Sequence, residues 1–311
     1  MQKPVDLLTP DTLRLLSAIA EAGSFSGAAR SLGMVPSALS YRVRQLEDAL
    51  DVLLFDRSSR QAKPPEAGAE LLREGKRLRE DAEAVVHRVQ RVATGWEPQL
   101  TIAVDGLIAR APLMELVCDF YENPPPTQLR LRDEILSGTI GALTSGRADL
   151  VIGAMLESSS AFGLKAKPMG RMRFVYAMAP HHPLATLPEP LSDATLQKHL
   201  AVVVADSTQG AATQSLGLLE GQEKVVVSSV TAKLDAQLRG LGAGFLAEPM
   251  ARPYLETGRL VARQVERSAR EVSLSYAWRA DRTAGKALSW WLTRLESPRT
   301  RHALLEQHRS V

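Results

Sequence analysis

The first fifty residues carry apolar side chains at helical spacing, interrupted by residues that favour turns. Thr9-Pro10-Asp11 is typical of a helix N-terminus, and Gly23 ends the apolar pattern that follows it. A second, shorter helix is predicted from Ser24 to Gly33, and a third begins at Pro36. The predicted inward-facing residues are Leu13, Leu16, Ile19 and Ala20, then Ala28, Ala29 and Leu32, then Leu39, Val43, Leu46 and Leu50. A helix, a short helix, a tight turn and a longer helix together predict a helix-turn-helix.

The exposed face of the third predicted helix offers side chains that can contact nucleic acid. They are Ser37, Ser40, Tyr41, Arg42 and Arg44. Hydroxyl and guanidinium groups of this kind reach base edges and phosphates in a major groove. Residues 52–55 then predict a strand, and residues 57–60 a basic turn, or wing, whose Arg57 and Arg60 can enter the minor groove. The alternative that fits the same spacing is an ordinary three-helix domain whose arginines face solvent.

Residues 66–94 contain no proline and predict one long helix. Its apolar and small positions advance in alternating steps of four and three: Leu71, Gly75, Leu78, Ala82, Val85, Val89 and Val92. This is the repeat of a coiled coil, and it predicts a dimer seam formed by Leu71, Leu78, Ala82, Val85 and Val89. A helix packed on its own domain is the alternative. A two-fold dimer would present two third helices to successive major grooves, which predicts an interrupted, approximately palindromic site in double-stranded DNA.

The pattern changes after residues 95–98, a predicted hinge. Short apolar runs at 100–104, 129–133, 150–153, 174–179, 201–205, 224–227, 244–246 and 272–278 alternate with helical stretches. Such alternation predicts an α/β fold with mostly parallel sheets. The length fits two lobes, and a cleft between lobes is a favoured place for a small-molecule ligand.

Several residues at predicted strand ends are candidates for that cleft. Asp105 and Gly106 follow the first strand, where Asp105 would select a cation or a sugar hydroxyl, or would cap the next helix. Ser137-Gly138-Thr139 opens a helix, so its amides would hold a carboxylate or a polar ring atom, or the segment would be a simple cap. Ser207 and Thr208 follow a strand of the second lobe and would supply hydroxyls from the opposite wall, or form an ordinary loop.

Composition narrows the class of protein. The chain has 311 residues, a net charge of +3 and one cysteine, Cys118, which fits a reducing cytoplasm. Residues 1–65 hold eight Lys/Arg against seven Asp/Glu, so DNA binding depends on where the arginines lie. No run of 18 apolar residues and no secretory signal is present, which predicts no membrane association. The chain has no HExxH or GxSxG motif, and we predict neither an enzyme nor a cofactor or metal site.

The stretch that starts at Leu13 and ends at Gly68 resembles the winged helix-turn-helix of LysR-type regulators. The matching pieces are Gly23-Ser24-Phe25-Ser26, Ala28-Ala29, Ser37-Ala38-Leu39-Ser40, Leu46-Glu47, Leu54-Phe55-Asp56-Arg57 and Ala67-Gly68. The resemblance places DNA contacts on Pro36, Ser37, Ser40, Tyr41 and Arg42, and on Arg57 and Arg60 in the wing. Val35-Pro36 stands where members commonly have Thr-Gln, so a usual helix cap and a base-reading amide are missing.

The rest of the chain resembles the effector domain of the same family, which has the fold of periplasmic solute-binding proteins. The matching pieces are Gly146-Arg147-Ala148-Asp149-Leu150, His182-Pro183-Leu184-Ala185 and residues 240–246. The sequence of residues 96–105 resembles most the subgroup of allantoin-utilisation and purine-uptake regulators. The resemblance implies a homodimer that assembles to a homotetramer, contact with RNA polymerase, and an effector that is purine-like, ureide-like or an organic acid.

The predicted architecture is therefore α/β with three functional parts. Residues 1–65 form a winged helix-turn-helix and 66–94 a linker and dimerisation helix. Residues 98–297 form a two-lobed effector domain, one lobe at about 98–167 and 268–297 and the other at about 168–267, and 298–311 form a C-terminal tail. The predicted function is effector-modulated control of transcription. The alternatives are a cytoplasmic small-molecule-binding module whose N-terminal helices serve only assembly, and a constitutive DNA binder with a vestigial cleft.

Overall fold

The computed structural model describes residues 3–56, 61–156, 163–207, 218–267, 270–280 and 283–308. The chain divides into two compact units, residues 1–89 and residues 90–311. None of the helices in these described ranges is both long and apolar enough to cross a membrane.

The first unit is helical, and its helices begin and end near the predicted signals. Its elements are α1 (Pro4–Leu7), α2 (Pro10–Ala22), α3 (Phe25–Ser31), α4 (Pro36–Leu50) and α5 (Glu66–Thr94). The Thr9 hydroxyl accepts from the Thr12 amide at the start of α2, and the Ser24 hydroxyl accepts from the Gly27 amide at the start of α3. Gly23 ends α2 at φ 63°, a left-handed conformation that glycine adopts without strain. The apolar faces of α2, α3 and α4 form one core with Leu54 and Phe55.

The strand predicted at residues 52–55 is wrong. The Leu54 and Phe55 amides donate to the Glu47 carboxylate of α4, at 2.9 and 3.3 Å, so this segment is fixed by a side chain and not by a strand partner. The wing is closed further along by an antiparallel bridge between Asp56 and Lys63. The predicted wing residues Arg57 and Arg60 lie outside the described residues.

The second unit is built on strands and helices that alternate along the chain. The strands are β1 (Gln99–Asp105), β2 (Gln128–Glu134), β3 (Leu150–Ala154), β4 (Leu164–Met178), β5 (Ala201–Val204), β6 (Lys224–Val227), β7 (Gly244–Ala247), β8 (Val261–Arg263) and β9 (Arg270–Arg279). The helices are α6 (Arg110–Tyr121), α7 (Ser137–Thr144), α8 (Asp193–Leu196), α9 (Val230–Leu238), α10 (Glu248–Glu256), α11 (Lys286–Glu296) and α12 (Pro298–Glu306). A short 3-10 helix, Pro183–Thr186, follows β4.

The larger sheet has the strand order β2-β1-β3-β9-β4-β7, with β8 also paired to β4, and β5 and β6 form a separate parallel pair. We call β1–β3 with α6 and α7 the first lobe, and β5–β7 with α9 and α10 the second lobe. The prediction of mostly parallel sheets is wrong: among the described strands three pairings are parallel and four are antiparallel. The antiparallel pairings arise because the long strands β4 and β9 run side by side between the lobes.

The predicted C-terminal tail is wrong for residues 298–306, because these residues form α12 and pack into the second unit. Leu304 is fully buried, and its carbonyl accepts from the Ala109 amide at 2.8 Å. A Cβ atom at Gly170, at the irregularity in β4, would lie 2.7 Å from a methyl group of Leu305. Arg252 of α10 donates to Glu306 at 2.9 Å. The domain core therefore extends beyond residue 297.

Candidate functional site

Helix α4 buries one face and exposes the residues predicted to contact DNA. Leu39, Val43 and Leu46 are buried in the core of the first unit. On the other side, Ser37 and Arg44 are exposed, the Tyr41 side chain is 62% exposed, and Ser40 and Arg42 are half-buried. Because helix positions three or four apart share a face, burial of the apolar stripe leaves this polar stripe at the surface.

Helix α4 begins without a side-chain cap, as the Val35-Pro36 sequence predicts. Pro36 occupies the first turn, where its missing N–H costs no hydrogen bond, and it is exposed. Val35 occupies the cap position and makes no side-chain cap hydrogen bond. The first turn of α4 is therefore held by backbone bonds from Ala38 and Leu39 to the Val35 carbonyl.

Two residues of this polar stripe are already oriented by neighbours. Arg42 forms an ion pair with Asp11 of α2 at 2.7 Å, and its hydrogen bond holds the pKa of that carboxyl below its usual value. Tyr41 accepts a hydrogen bond from the Gln45 amide at 3.0 Å. Arg42 is thus shared between the helix-turn-helix scaffold and the surface of α4.

Glu47 is a positioning residue that sequence reasoning did not single out. Its carboxylate is buried and accepts from the amides of Leu54 and Phe55, so it connects α4 to the segment that enters the wing. Phe55 also packs edge-to-face on Phe25, with ring centroids 5.8 Å apart. The sequence did contain a signal that Glu47 is buried, because it lies four residues after Val43 and therefore falls on the apolar stripe of α4.

The predicted seam on α5 divides into two parts. Leu71 is half-buried against the core of the first unit, and Gly75 lies against Leu13, so this end of the repeat packs within its own unit. Leu78, Ala82, Val85 and Val89 are exposed, Val89 at 64% of its surface. Leu71 therefore contacts the monomer core as well, whereas the other four residues of the predicted seam form an exposed apolar row.

A cavity of about 50 Å³ lies between the two lobes of the second unit and opens to solvent. Apolar side chains make up most of its wall. The lining residues are Asp105, Leu107, Ile135, Leu136, Met155, Phe174, Val203, Val204, Val230, Lys233, Phe245, Leu246 and Ala247. Asp105 and Lys233 are the ionisable residues in this described lining, one from each lobe.

Asp105 ends β1 and is only 2% exposed. Burial raises the pKa of its carboxyl to about 6, against hydrogen bonds that lower it. Those bonds come from the Leu107 amide at 2.9 Å, the Thr139 hydroxyl at 3.0 Å, and the Leu136 backbone. Asp105 does not cap the next helix, because α6 begins at Arg110 and has no side-chain cap hydrogen bond; its carboxylate fixes the intervening turn at Leu107.

Leu136 adopts an unusual backbone conformation beside this carboxylate. Its φ of 54° and ψ of −121° are strained for a residue with a side chain. The contact from its backbone to Asp105 helps to hold it there. The strain lies in the wall of the cavity, directly before α7 begins at Ser137.

The remaining predicted effector residues join the two lobes. The Ser137 hydroxyl donates to Asp206 at 2.7 Å, and the Ser207 hydroxyl donates to buried Glu134 at the same distance. A Cβ atom at Gly138 would lie 1.7 Å from the Ser207 oxygen, so the contact needs glycine there. Gly106 similarly lies against Val230, where a Cβ atom would be 2.9 Å from a methyl carbon.

Of the predicted effector residues that are described, Asp105 alone lines the cavity. Thr139 is completely buried behind it, and the others make the contacts between the lobes. Thr208 lies outside the described residues.

Lys233 of α9 was missed by the sequence analysis. The residue is 7% exposed, and burial lowers the pKa of its ammonium group to about 8. A Cβ atom at Gly244 would lie 3.4 Å from its Nζ, so the side chain ends against β7. Polar residues occur on both sides of the nine-residue α9, and its pattern therefore does not reveal that Lys233 faces inward.

Comparison with known families decides the class of protein. Residues 10–69 match the bacterial regulatory helix-turn-helix protein model of the lysR family, and residues 93–297 match the LysR substrate binding domain. The chain belongs to the LysR family.

Individual relatives agree with this assignment. The chain is 37% identical over 283 residues to YeeY of Escherichia coli K12, an uncharacterized HTH-type transcriptional regulator, with 90% of this chain and 91% of YeeY covered. It is 33% identical over 289 residues to the HTH-type transcriptional regulator PunR of the same organism, with 93% of each covered. The structure of full-length CbnR complexed with its target DNA has a TM-score of 0.63 at 17% identity, covering 94% of this chain and 99% of CbnR.

As a LysR-family member, the chain is a DNA-binding transcriptional regulator with an effector-binding domain. This confirms the predicted family and the helix-turn-helix and α/β fold class. Relatives from the predicted purine and allantoin subgroup, PunR and AllS, are among the proteins that the chain resembles at 33% identity. A module whose N-terminal helices serve only assembly does not fit a DNA-binding domain match over residues 10–69.

Proposed function

We propose that this LysR-family regulator binds an interrupted palindromic promoter site as a dimer, and that a small molecule in the cavity between the lobes modulates it. The exposed polar stripe of α4 is the observation that carries the DNA-binding part of the proposal. Effector binding would favour one arrangement of the lobes over another and thereby change how the dimers engage DNA. Assembly to a homotetramer and contact with RNA polymerase belong to the same proposal.

The residues proposed to contact DNA share the exposed side of α4. Ser37, Tyr41 and Arg44 are fully available to bases or phosphates, whereas Ser40 and Arg42 are half-buried at the edge of the stripe. Pro36 lies at the uncapped helix start, and Arg57 and Arg60 remain proposed wing contacts. Arg42 would have to share its guanidinium group between Asp11 and DNA.

The exposed apolar row on α5 supports dimerisation. Leu78, Val85 and Val89 each expose about half of their surface or more, and burying such side chains is worth about 1.5–3 kcal/mol each. A second copy of α5 would cover them with like residues, since a two-fold interface brings the same patch together from both chains.

DNA binding is tested by fluorescence anisotropy with a duplex from the intergenic region upstream of the protein's own gene. Tyr41→Ala and Arg44→Ala should each weaken binding by about 1–3 kcal/mol, and Arg44→Ala should also reduce the slope of affinity against salt by about one ion. Arg239→Ala, an exposed arginine of the second unit, is the matched control. Wild-type affinity in both α4 variants would show that this face does not contact DNA.

Dimerisation is tested by sedimentation velocity. Val85→Asp combined with Val89→Asp should yield monomers, because two carboxylates would have to be buried in the seam. Val5→Asp, at an exposed valine of α1, is the control and should leave the assembly unchanged. A double variant that sediments like the wild type would place the dimer interface elsewhere.

A further inference from the structure

The cavity wall holds two ionisable groups, and only one of them has its charge compensated. Asp105 accepts hydrogen bonds from the Leu107 amide and the Thr139 hydroxyl and contacts the Leu136 backbone. Lys233 has no acidic side chain beside its ammonium group within the described part of the chain, and burial is the sole cause of its lowered pKa. A buried charge without a partner is costly, so its presence in a cavity calls for an explanation.

The helix that carries Lys233 is held in place by hydrogen bonds on both sides of this residue. Helix α9 begins with a cap in which the Ser229 hydroxyl accepts from the Ala232 amide at 3.0 Å. One turn after Lys233, the Gln237 amide donates to the carbonyls of Ala177 and Gly244, at 3.2 and 2.9 Å. These bonds attach α9 to β4 and β7 and hold Lys233 in the wall of the cavity.

The rest of the wall selects the body of the ligand. Leu107, Met155, Phe174 and Phe245 all line the cavity, and this apolar lining suits a small hydrocarbon or aromatic group. Asp105 also lines the wall, but both of its carboxylate oxygens already accept hydrogen bonds from protein donors. Lys233 is therefore the ionisable group of the described lining that is left to bind a single anionic group of a ligand.

We propose that the effector is a small organic carboxylate with an apolar body, and that Lys233 is the residue that binds its carboxylate. This inference rests on the proposed function, because it assumes that the cavity between the lobes is the effector site. Ligand binding would supply the anion that the fold itself does not place beside the lysine, which couples occupancy to the electrostatics of the second lobe.

The test uses the full-length protein and isothermal titration calorimetry with matched probes. Benzoate, phenylacetate and 4-methyl-2-oxopentanoate are the anions, and benzamide and phenylacetamide are their neutral counterparts. Phenyl phosphate, hypoxanthine, adenosine and allantoin complete the panel. At least one carboxylate should bind to the wild type, and where it has an amide counterpart it should bind at least tenfold more tightly than that amide.

Lys233→Met should weaken carboxylate binding at least tenfold, whereas Lys198→Met, at an exposed lysine shortly before β5, should not. Carboxylate binding to the wild type should also weaken about tenfold between pH 7 and pH 9, since the pKa of Lys233 lies near 8, and this dependence should vanish in Lys233→Met. Promoter binding without probe should be the same in the wild type and in Lys198→Met.

Three outcomes would overturn the carboxylate proposal: no binding by any carboxylate, binding that Lys233→Met leaves intact, or Lys233-dependent binding of phenyl phosphate alone. Tight binding of a neutral purine or of allantoin that is unaffected by Lys233→Met would overturn it while leaving effector control in place. Loss of promoter binding by the wild type would instead contradict the proposed function.

Discussion

Replacing Lys233 with methionine should stabilise the second unit at neutral pH. Methionine keeps the length and apolar character of the side chain but removes the buried charge. Burial lowers the pKa of Lys233 from its usual 10.5 to about 8. At about 1.4 kcal/mol for each tenfold change in proton affinity, the charged lysine costs the folded state about 3 kcal/mol.

The size of this stabilisation depends on pH in a defined window. Below pH 8 the lysine is charged in the folded and the unfolded chain, so its full cost is present. Between pH 8 and pH 10.5 the folded chain has released the proton while the unfolded chain keeps it, and the cost declines as pH rises. The variant should therefore be about 3 kcal/mol more stable than the wild type at pH 7 and should lose that advantage by about pH 10.5.

The four tryptophans of the chain allow the stability of the second unit to be measured separately. Trp96, Trp278, Trp290 and Trp291 all lie in the second unit, so urea unfolding followed by tryptophan fluorescence reports on this unit within the full-length protein. Lys198→Met controls for loss of one positive charge and should change the free energy of unfolding by less than about 0.5 kcal/mol. A Lys233→Met variant that is no more stable than the wild type at pH 7, or whose advantage does not change with pH, would refute the argument.

Three further predictions concern contacts that fix the two units. Glu47→Ala should destabilise the first unit by about 2–4 kcal/mol in scanning calorimetry, because two buried amides lose their acceptor, while exposed Asp48→Ala should have little effect. Leu304→Ala should cost the second unit about 2–5 kcal/mol by the tryptophan assay, and a loss as small as that of exposed His302→Ala would mean that α12 is not part of the core. Gly138→Ala should destabilise the second unit by about 1–3 kcal/mol, and Ser207→Gly in the same chain should recover part of the loss; strictly additive effects would contradict the close contact.

The sequence by itself determined the helices of the first unit and the family. In the first unit, caps, turn glycines and apolar spacing are local signals, and the helices begin and end close to the residues that carry them. The motifs of both domains were also sufficient to predict the family and the α/β class. These features depend on residues that are near one another in the chain, which is why they can be read without coordinates.

The tertiary structure decided the features that depend on distant residues. Strand direction in the second unit was mispredicted because β4 and β9, about a hundred residues apart, pair antiparallel, and no local pattern encodes that pairing. Residues 298–306 were mispredicted as a tail because their two buried leucines, Leu304 and Leu305, contact residues much earlier in the chain.

The cavity likewise combines residues that the sequence predicts with residues that only the tertiary structure identifies. Its residues were predicted from strand ends, which located Asp105, but Ser137, Gly138 and Ser207 contact one another because the lobes bring them together. Lys233 was missed because one lysine in a mixed helix carries no sign of burial. Whether a charge faces water or a cavity depends on what packs around it, and only the folded chain brings those neighbours to it.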